Sequence, residues 1–223
     1  MTRKVGAITI GQSPRVDVVP EIKEILGDSI EVLEAGALDG LTREEIAALA
    51  PGPGDYVLVT RLRDGSSVRI AEEKILPLMQ ARIDGVVAAG AEAVLLLCTG
   101  EFPPFSCRRL ILKPQLILHH FTAAVATGRR LGVIVPDAGQ VEETRKRWAG
   151  VGSDLAVEAA SPYGPVDAIW EAAARLQAWH AELIVLDCIG FNMSMKREIN
   201  RRTGIPVILP RAVAARTLIE LVS

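Results

Sequence analysis

The sequence predicts an α/β protein made of two similar Rossmann-like lobes with parallel sheets and a cleft between them. Three observations lead there. Short apolar runs alternate with amphipathic stretches along the chain, the pattern of successive βαβ units. The run Ala93-Val94-Leu95-Leu96-Leu97-Cys98-Thr99-Gly100 is echoed by Leu183-Ile184-Val185-Leu186-Asp187-Cys188-Ile189-Gly190. Each reads as a strand buried on both faces that leaves its sheet at Cys-x-Gly. Finally, 223 residues, 49% of them hydrophobic and 23% charged, suffice for one large domain or two small lobes of ordinary globular composition.

Taken in order, Val5 to Ile10 is the first buried strand, and Gly11 to Val19 forms a long loop at its C-terminal end. Pro20 starts a helix, since proline suits the first turn and keeps Val19 extended. Ile30 to Glu34 is the second strand. Thr42-Arg43-Glu44-Glu45 is a capping box, and its helix stops at Pro51-Gly52-Pro53-Gly54. Tyr56 to Arg63 and Ser66 to Ile70 flank Asp64-Gly65, the signal of a tight antiparallel hairpin carried on a parallel sheet. A helix from about Leu76 to Ala89, with Met79, Ile83, Val86 and Val87 on one face, leads to the Cys98 strand.

The chain is irregular from Glu101 to Arg109, and Leu110 to Leu112 is a short strand. Pro114 opens a helix that Gly128 ends. The pattern then restarts. Leu131 to Val135 is a strand, Asp137-Ala138-Gly139-Gln140 resembles a capping box, and Leu155 to Glu158 is a strand. A loop, Ser161 to Pro165, precedes a helix from Val166 to His180 with Val166, Ile169, Trp170, Ala173 and Leu176 on its apolar face. The Cys188 strand, a helix near Ser194 to Thr203, the strand Pro206 to Leu209 and a helix opened by Pro210 complete the chain. The expected lobes are 1–115 with 211–223, and 116–210.

Composition excludes several classes. The formal charge of −2 argues against a nucleic-acid protein, which shows a basic face. No apolar run approaches the roughly 20 residues that span a bilayer, and the first residues lack a signal-peptide cleavage site, so a cytoplasmic location is expected. Three cysteines are an odd number, and neither a disulfide framework nor a Cys-x-x-Cys or His-x-x-x-His metal pair is present. Neither metal nor cofactor is expected.

In parallel sheets the strand C-termini open onto the ligand crevice, so Cys98 and Cys188 are the candidate catalytic residues. Two thiols on opposite faces of one carbon can invert it, one removing a proton and the other delivering one. A reference pKa of ~8.5 leaves a few per cent thiolate at neutral pH, and a following helix N-terminus raises that fraction. Sulfurs about 7–9 Å apart would leave two near-attack distances of ~3–3.5 Å. Backbone N–H groups at Thr99-Gly100 and Ile189-Gly190 suit a carboxylate. Gly11, Gln12, Ser13 and Arg15 lie on a strand-end loop that faces either ligand or solvent, and Arg15 is the best cationic anchor for an anion. The expected partner is a small carboxylate or other anion.

Other residues have plainer readings. Asp187 is expected to pair with an arginine, the alternative being a place beside the site. His119 and His120 read as packing, His180 as a helix-end cation and Cys107 as an incidental thiol. Arg129-Arg130, Arg145-Lys146-Arg147 and Arg201-Arg202 read as solvated faces. Arg61, Arg63 and Arg69 surround the hairpin and read as an exposed arm or a homodimer contact.

The paired Cys-x-Gly strands resemble the aspartate/glutamate/hydantoin racemase superfamily, and Ser161-Pro162-Tyr163 resembles the Pro-Tyr loop of its maleate isomerase and arylmalonate decarboxylase branches. More narrowly, Thr9-Ile10-Gly11-Gln12-Ser13-Pro14-Arg15, Leu131-Gly132-Val133-Ile134-Val135-Pro136 and Leu186-Asp187-Cys188-Ile189-Gly190-Phe191 resemble the AroM family over essentially the whole chain. The resemblance implies an Asp/Glu racemase-like fold and adds Pro136 and Tyr163 to the substrate-binding candidates. The chain departs from the racemases in Cys98-Thr99-Gly100, where Cys-Asn-Thr is common, and in Ile189, where a hydroxyl residue often stands. The implied activity is a cofactor-independent racemase or isomerase of a small carboxylate. A non-catalytic anion-binding or regulatory protein is the alternative, and a thiol redox role is a weaker third.

Overall fold

The computed structural model describes residues 2–222. The chain divides into two compact units, Met1–Pro114 with Ala214–Ser223, and Gln115–Val213. The first carries β1 (Arg3–Thr9), α1 (Val19–Leu26), β2 (Ile30–Gly36), α2 (Arg43–Ala48), β3 (Val57–Arg61), β4 (Ser67–Ala71), α3 (Glu72–Ala88), β5 (Ala93–Leu96) and β6 (Leu110–Leu112). Then come α4 (Pro114–Val125), β7 (Arg130–Val135), α5 (Val141–Trp148), β8 (Asp154–Ala159), α6 (Val166–Ala178), β9 (Leu183–Leu186), α7 (Met193–Thr203), β10 (Val207–Ile208) and α8 (Pro210–Val222).

Each unit has a parallel four-stranded sheet, β2-β1-β5-β6 in one and β10-β9-β7-β8 in the other. Counted along each unit's own chain, with the hairpin set aside, both have the order second, first, third, fourth. The register matches too: Ile8 pairs with Leu96 in the first sheet as Ile134 pairs with Leu186 in the second. One step further, the Leu97 N–H reaches the Ile8 carbonyl at 2.7 Å and the Asp187 N–H reaches the Ile134 carbonyl at 2.8 Å. Cys98 and Cys188 are therefore equivalent positions in two copies of one topology.

The apolar runs become these strands because both faces are covered. Ile8, Ile10, Val94 and Leu96 pack with Ile75, Met79 and Ile83 of α3. Leu131, Val133, Val135 and Val185 pack with Trp148 in the second unit. The capping box forms as expected, with Thr42 accepting from the Glu45 N–H and Glu45 accepting from the Thr42 N–H.

Some boundaries differ from expectation. The hairpin β3–β4 forms a separate two-stranded sheet rather than an edge of the parallel one. An isolated hairpin is marginal in water, and this one holds because Leu58 and Ile70 are buried in the first core. Helix α3 begins at Glu72, four residues before the predicted start, with Pro77 inside it. Pro77, the sixth helical residue, lies past the first turn and so removes one bond to the Glu73 carbonyl, while Glu72 and Glu73 favour the positive end of the helix dipole. Beyond Asp137, which accepts from the Gly139 N–H at 2.8 Å, comes a short 3-10 turn and then α5.

Candidate functional site

In a sheet of this order, neighbouring crossovers lie on opposite faces, and a crevice opens at the C-terminal ends of the first and third strands. In the first unit those ends carry the loop after β1 and the Cys98-Thr99-Gly100 turn after β5. In the second they carry Pro136 after β7 and Cys188-Ile189-Gly190 after β9.

The two cysteine turns are built alike. The Gly100 N–H points at the Cys98 sulfur with N···Sγ 3.3 Å, and the Gly190 N–H at the Cys188 sulfur at 3.4 Å. Cys98 is half-buried and Cys188 buried. Glycine is required at both turns by close approach. A Cβ on Gly100 would lie 2.5 Å from Leu58 Cδ2, and one on Gly190 would meet the Tyr163 hydroxyl. That approach brings Tyr163, in the loop after β8, against the Cys188 turn. Cys107 also accepts from the N–H two residues on, that of Arg109, but in the irregular segment before β6.

Around β1 the candidate residues are largely engaged with one another. Ser13 donates its N–H to Asp39 Oδ1 at 2.8 Å and its hydroxyl to Oδ2 at 2.5 Å. Gln12 Oε1 accepts the Arg63 N–H at 2.9 Å, and the Arg63 guanidinium donates to the Ser13 carbonyl. The Gly11 N–H donates to Thr9 Oγ1. Arg15 is 3% exposed. Its Nε and Nη2 grip the two Asp17 oxygens, both at 2.8 Å, and Nη1 donates to Thr9 Oγ1. The residue expected to anchor an anion thus already holds a carboxylate of its own loop. Arg63, expected on an exposed arm, ties the hairpin to this loop.

Behind Cys188, Asp187 pairs with an arginine as expected. Its Oδ2 accepts from Arg147 Nη2 at 2.5 Å and from Trp148 Nε1 at 2.8 Å. This corrects the reading of Arg145-Lys146-Arg147 as a solvated face. Arg145 and Lys146 make exposed i,i+3 pairs with Glu142 and Glu143, whereas the Arg147 side chain is only 11% exposed. The helical period turns it inward beside Trp148. His119 packs on Trp148, with ring centroids 5.4 Å apart, and its Nε2 lies 3.2 Å from the Arg147 carbonyl. Arg211, singled out by no motif, is buried against the carbonyls of Ile189 and Gly190. Its signal in the sequence was a cation in the first turn of a helix, the end where cations are disfavoured.

The sequence model of the AroM family, described as AroM protein, matches residues 5–222. The chain belongs to the AroM family. No curated protein sequence matches it. Among solved structures, this AroM-family chain is similar to a Picrophilus torridus aspartate racemase, with TM-score 0.63, 12% identity, and coverage of 98% of this chain and 94% of that one. It is similar to the allantoin racemase from Klebsiella pneumoniae (TM-score 0.61, 15% identity, 99% and 87% covered). A third is the Nocardia farcinica maleate cis-trans isomerase bound to TRIS (TM-score 0.63, 14% identity, 99% and 92% covered). At these identities the likeness establishes the racemase fold. Among the described residues no helix is long and apolar enough to cross a membrane, and no cluster of His, Cys, Asp and Glu is grouped to hold a metal ion.

Proposed function

We propose that this AroM-family protein is a cofactor-independent racemase or isomerase of a small carboxylate, with Cys98 and Cys188 as its paired acid and base. The observation that carries the reading is the equivalence of the two turns. Each cysteine follows the third strand of its sheet, at the ligand end, and each sulfur receives the N–H of the glycine two residues on. A thiolate accepting such a bond is favoured over the thiol. Removal of a proton by one sulfur and delivery by the other changes the configuration of a carbon without any redox step, so atoms and charges balance within the pair. Backbone N–H groups at Thr99 and Ile189, with Gly11, Pro136 and the Tyr163 hydroxyl, are the proposed contacts for the substrate carboxylate. Such donors stabilise charge that develops in the transition state.

The similar folds include enzymes named for aspartate, glutamate, allantoin, maleate and arylmalonate, and these define the substrates to screen. Incubation in deuterated water should place deuterium at the reacting carbon of an active substrate. Cys98→Ala and Cys188→Ala should each lower that exchange by about 10²–10⁴-fold, the usual worth of a general acid or base. Undiminished exchange in both variants overturns the mechanism. The burial of Ile189, at 3% exposure, where a hydroxyl often stands in racemases, favours one other reading, an anion-binding protein. Binding of one of these anions with neither proton exchange nor isomerisation by the wild-type protein would decide for it.

A further inference from the structure

Arg211 stands in the first turn of α8 and is 1% exposed. Both its depth and its place run against local preference. A cation at a helix N-terminus faces the positive end of the macrodipole, and a buried charge persists only where it is well hydrogen-bonded. Its guanidinium donates from Nε to the Ile189 carbonyl at 3.1 Å, and from Nη2 to the same carbonyl at 2.8 Å and to that of Gly190 at 3.0 Å.

The Ile189 carbonyl belongs to the same peptide group as the Gly190 N–H. In a trans peptide these point in opposite directions. On the far side that N–H meets the Cys188 sulfur at 3.4 Å. Guanidinium, peptide and sulfur thus form a series, with the positive charge at the oxygen end and the sulfur at the hydrogen end. A cation on the carbonyl polarises the peptide and strengthens its N–H as a donor. A stronger donor to sulfur favours the thiolate.

We propose that Arg211 is a positioning residue that readies Cys188 to carry negative charge, acting through the Ile189–Gly190 peptide. The inference deepens, and rests on, the reading of Cys188 as an acid/base group. Among the described residues, charged or titratable groups around this turn include Asp187 with Arg147 from α5, His119 of α4 behind Trp148, and Tyr163 from the loop after β8.

Two single-thiol proteins test it without a substrate. Cys98→Ala with Cys107→Ala leaves Cys188, and Cys107→Ala with Cys188→Ala leaves Cys98, whose Gly100 contact involves neither Ile189 nor Gly190. Alkylation by iodoacetamide is followed by mass spectrometry across pH. Arg211→Met should slow Cys188 alkylation about tenfold at neutral pH, the effect of displacing its titration upward by about one pH unit. Cys98 should change less than about twofold, and Arg211→Lys, which keeps the cation but loses the planar fork, should fall between. A merely structural loosening would expose the sulfur and speed the reaction, the opposite sign. Unchanged or faster Cys188 alkylation in a folded Arg211→Met protein overturns the proposal, as does equal slowing of both thiols. If the Met variant does not fold, Arg211→Lys decides: selective slowing of Cys188 supports the proposal and an unchanged rate overturns it. Should no substrate exchange a proton while the Arg211 effect holds, the catalytic reading falls and this assignment stands. Exchange by wild-type protein with a Cys188 rate indifferent to Arg211 overturns this assignment alone.

Discussion

Replacing Asp187 with leucine, the residue that Leu97 supplies at the equivalent position of the first sheet, is a sharp test of what holds the Cys188 strand. The Asp187 side chain is 1% exposed and that of Arg147 11%. One-sided loss of a buried pair costs about 3–5 kcal/mol, because the partner stays buried without compensation. Arg147 keeps a little contact with water, so Asp187→Leu should lie near the lower end, about 3 kcal/mol. Arg147→Met should cost more, about 4 kcal/mol, because it strands a carboxylate whose Oδ1 already has no hydrogen-bond partner among the described residues. The double variant removes both charges and leaves chiefly the Trp148 N–H unsatisfied, a cost of about 1–3 kcal/mol. It should therefore be far more stable than the sum of the single variants, by about 4 kcal/mol or more. Urea unfolding followed by tryptophan fluorescence is the assay, since Trp148 is itself one of the carboxylate's partners. Trp148, Trp170 and Trp179 all lie in the second unit, so the fluorescence transition reports the unit that holds the pair. Additive single costs, or an Asp187→Leu cost below about 1 kcal/mol, would refute the view that the ion pair is what the fold loses.

Gly190→Ala should destabilise the second unit by about 1–3 kcal/mol, the usual cost of overpacking, because the new methyl meets Tyr163. Tyr163→Ala in that background should restore part of the loss, and no recovery in the urea midpoint would count against the contact. Glu198 is held down at about 2, from an ordinary 4.5, first by the hydrogen bond from Arg201 and then by that from Arg202. A carboxylate depressed in the folded state stabilises it above its unfolded value and loses that contribution as pH falls through the folded one. Thermal midpoints of Glu198→Gln should therefore fall less steeply than those of wild type between pH 4.5 and about 2, and parallel curves would contradict this.

The alternating pattern was legible because both faces of each parallel sheet are covered, which turns strands into continuous apolar runs such as Ala93–Leu96 and Leu183–Leu186. The topology follows from such runs and right-handed crossovers. Register was not legible: the echoed Cys-x-Gly runs suggested that Cys98 and Cys188 are equivalent, and the pairing of Ile8 with Leu96 and of Ile134 with Leu186 fixes the register that makes them so. Charged residues were the least readable. Arg15 reads as an anion anchor on a loop, Arg147 as part of a solvated charged run, and Arg211 lies unmarked between apolar neighbours, yet all three are turned inward. The difference lies in tertiary partners: Asp17, Asp187 and the Ile189 and Gly190 carbonyls. Sequence spacing can suggest the first of these pairs, two residues apart, but not the others at separations of 40, 22 and 21.

Two equivalent turns in unlike electrostatic surroundings have a kinetic consequence for the proposed chemistry. Behind Cys98 the equivalent strand position is the apolar Leu97, whereas behind Cys188 it is Asp187 with Arg147, and Arg211 grips the carbonyls of the turn itself. Sulfurs so placed are not interchangeable as acid and base. For a true racemisation the two enantiomers have equal free energy, so the ratio of kcat/KM in the two directions must equal one whatever the thiols do. The inequality can then show only in kcat and KM separately, with unequal kcat values offset by unequal KM values. In a cis-trans isomerisation the same ratio is fixed at the equilibrium constant of that reaction, again whatever the thiols do. Where the exchange screen finds a racemisation, initial rates from the two enantiomers should thus give direction-dependent kcat, and Arg211→Met should narrow the difference. Equal kcat in both directions, insensitive to Arg211, would mean that the two turns act as chemical equals despite their surroundings.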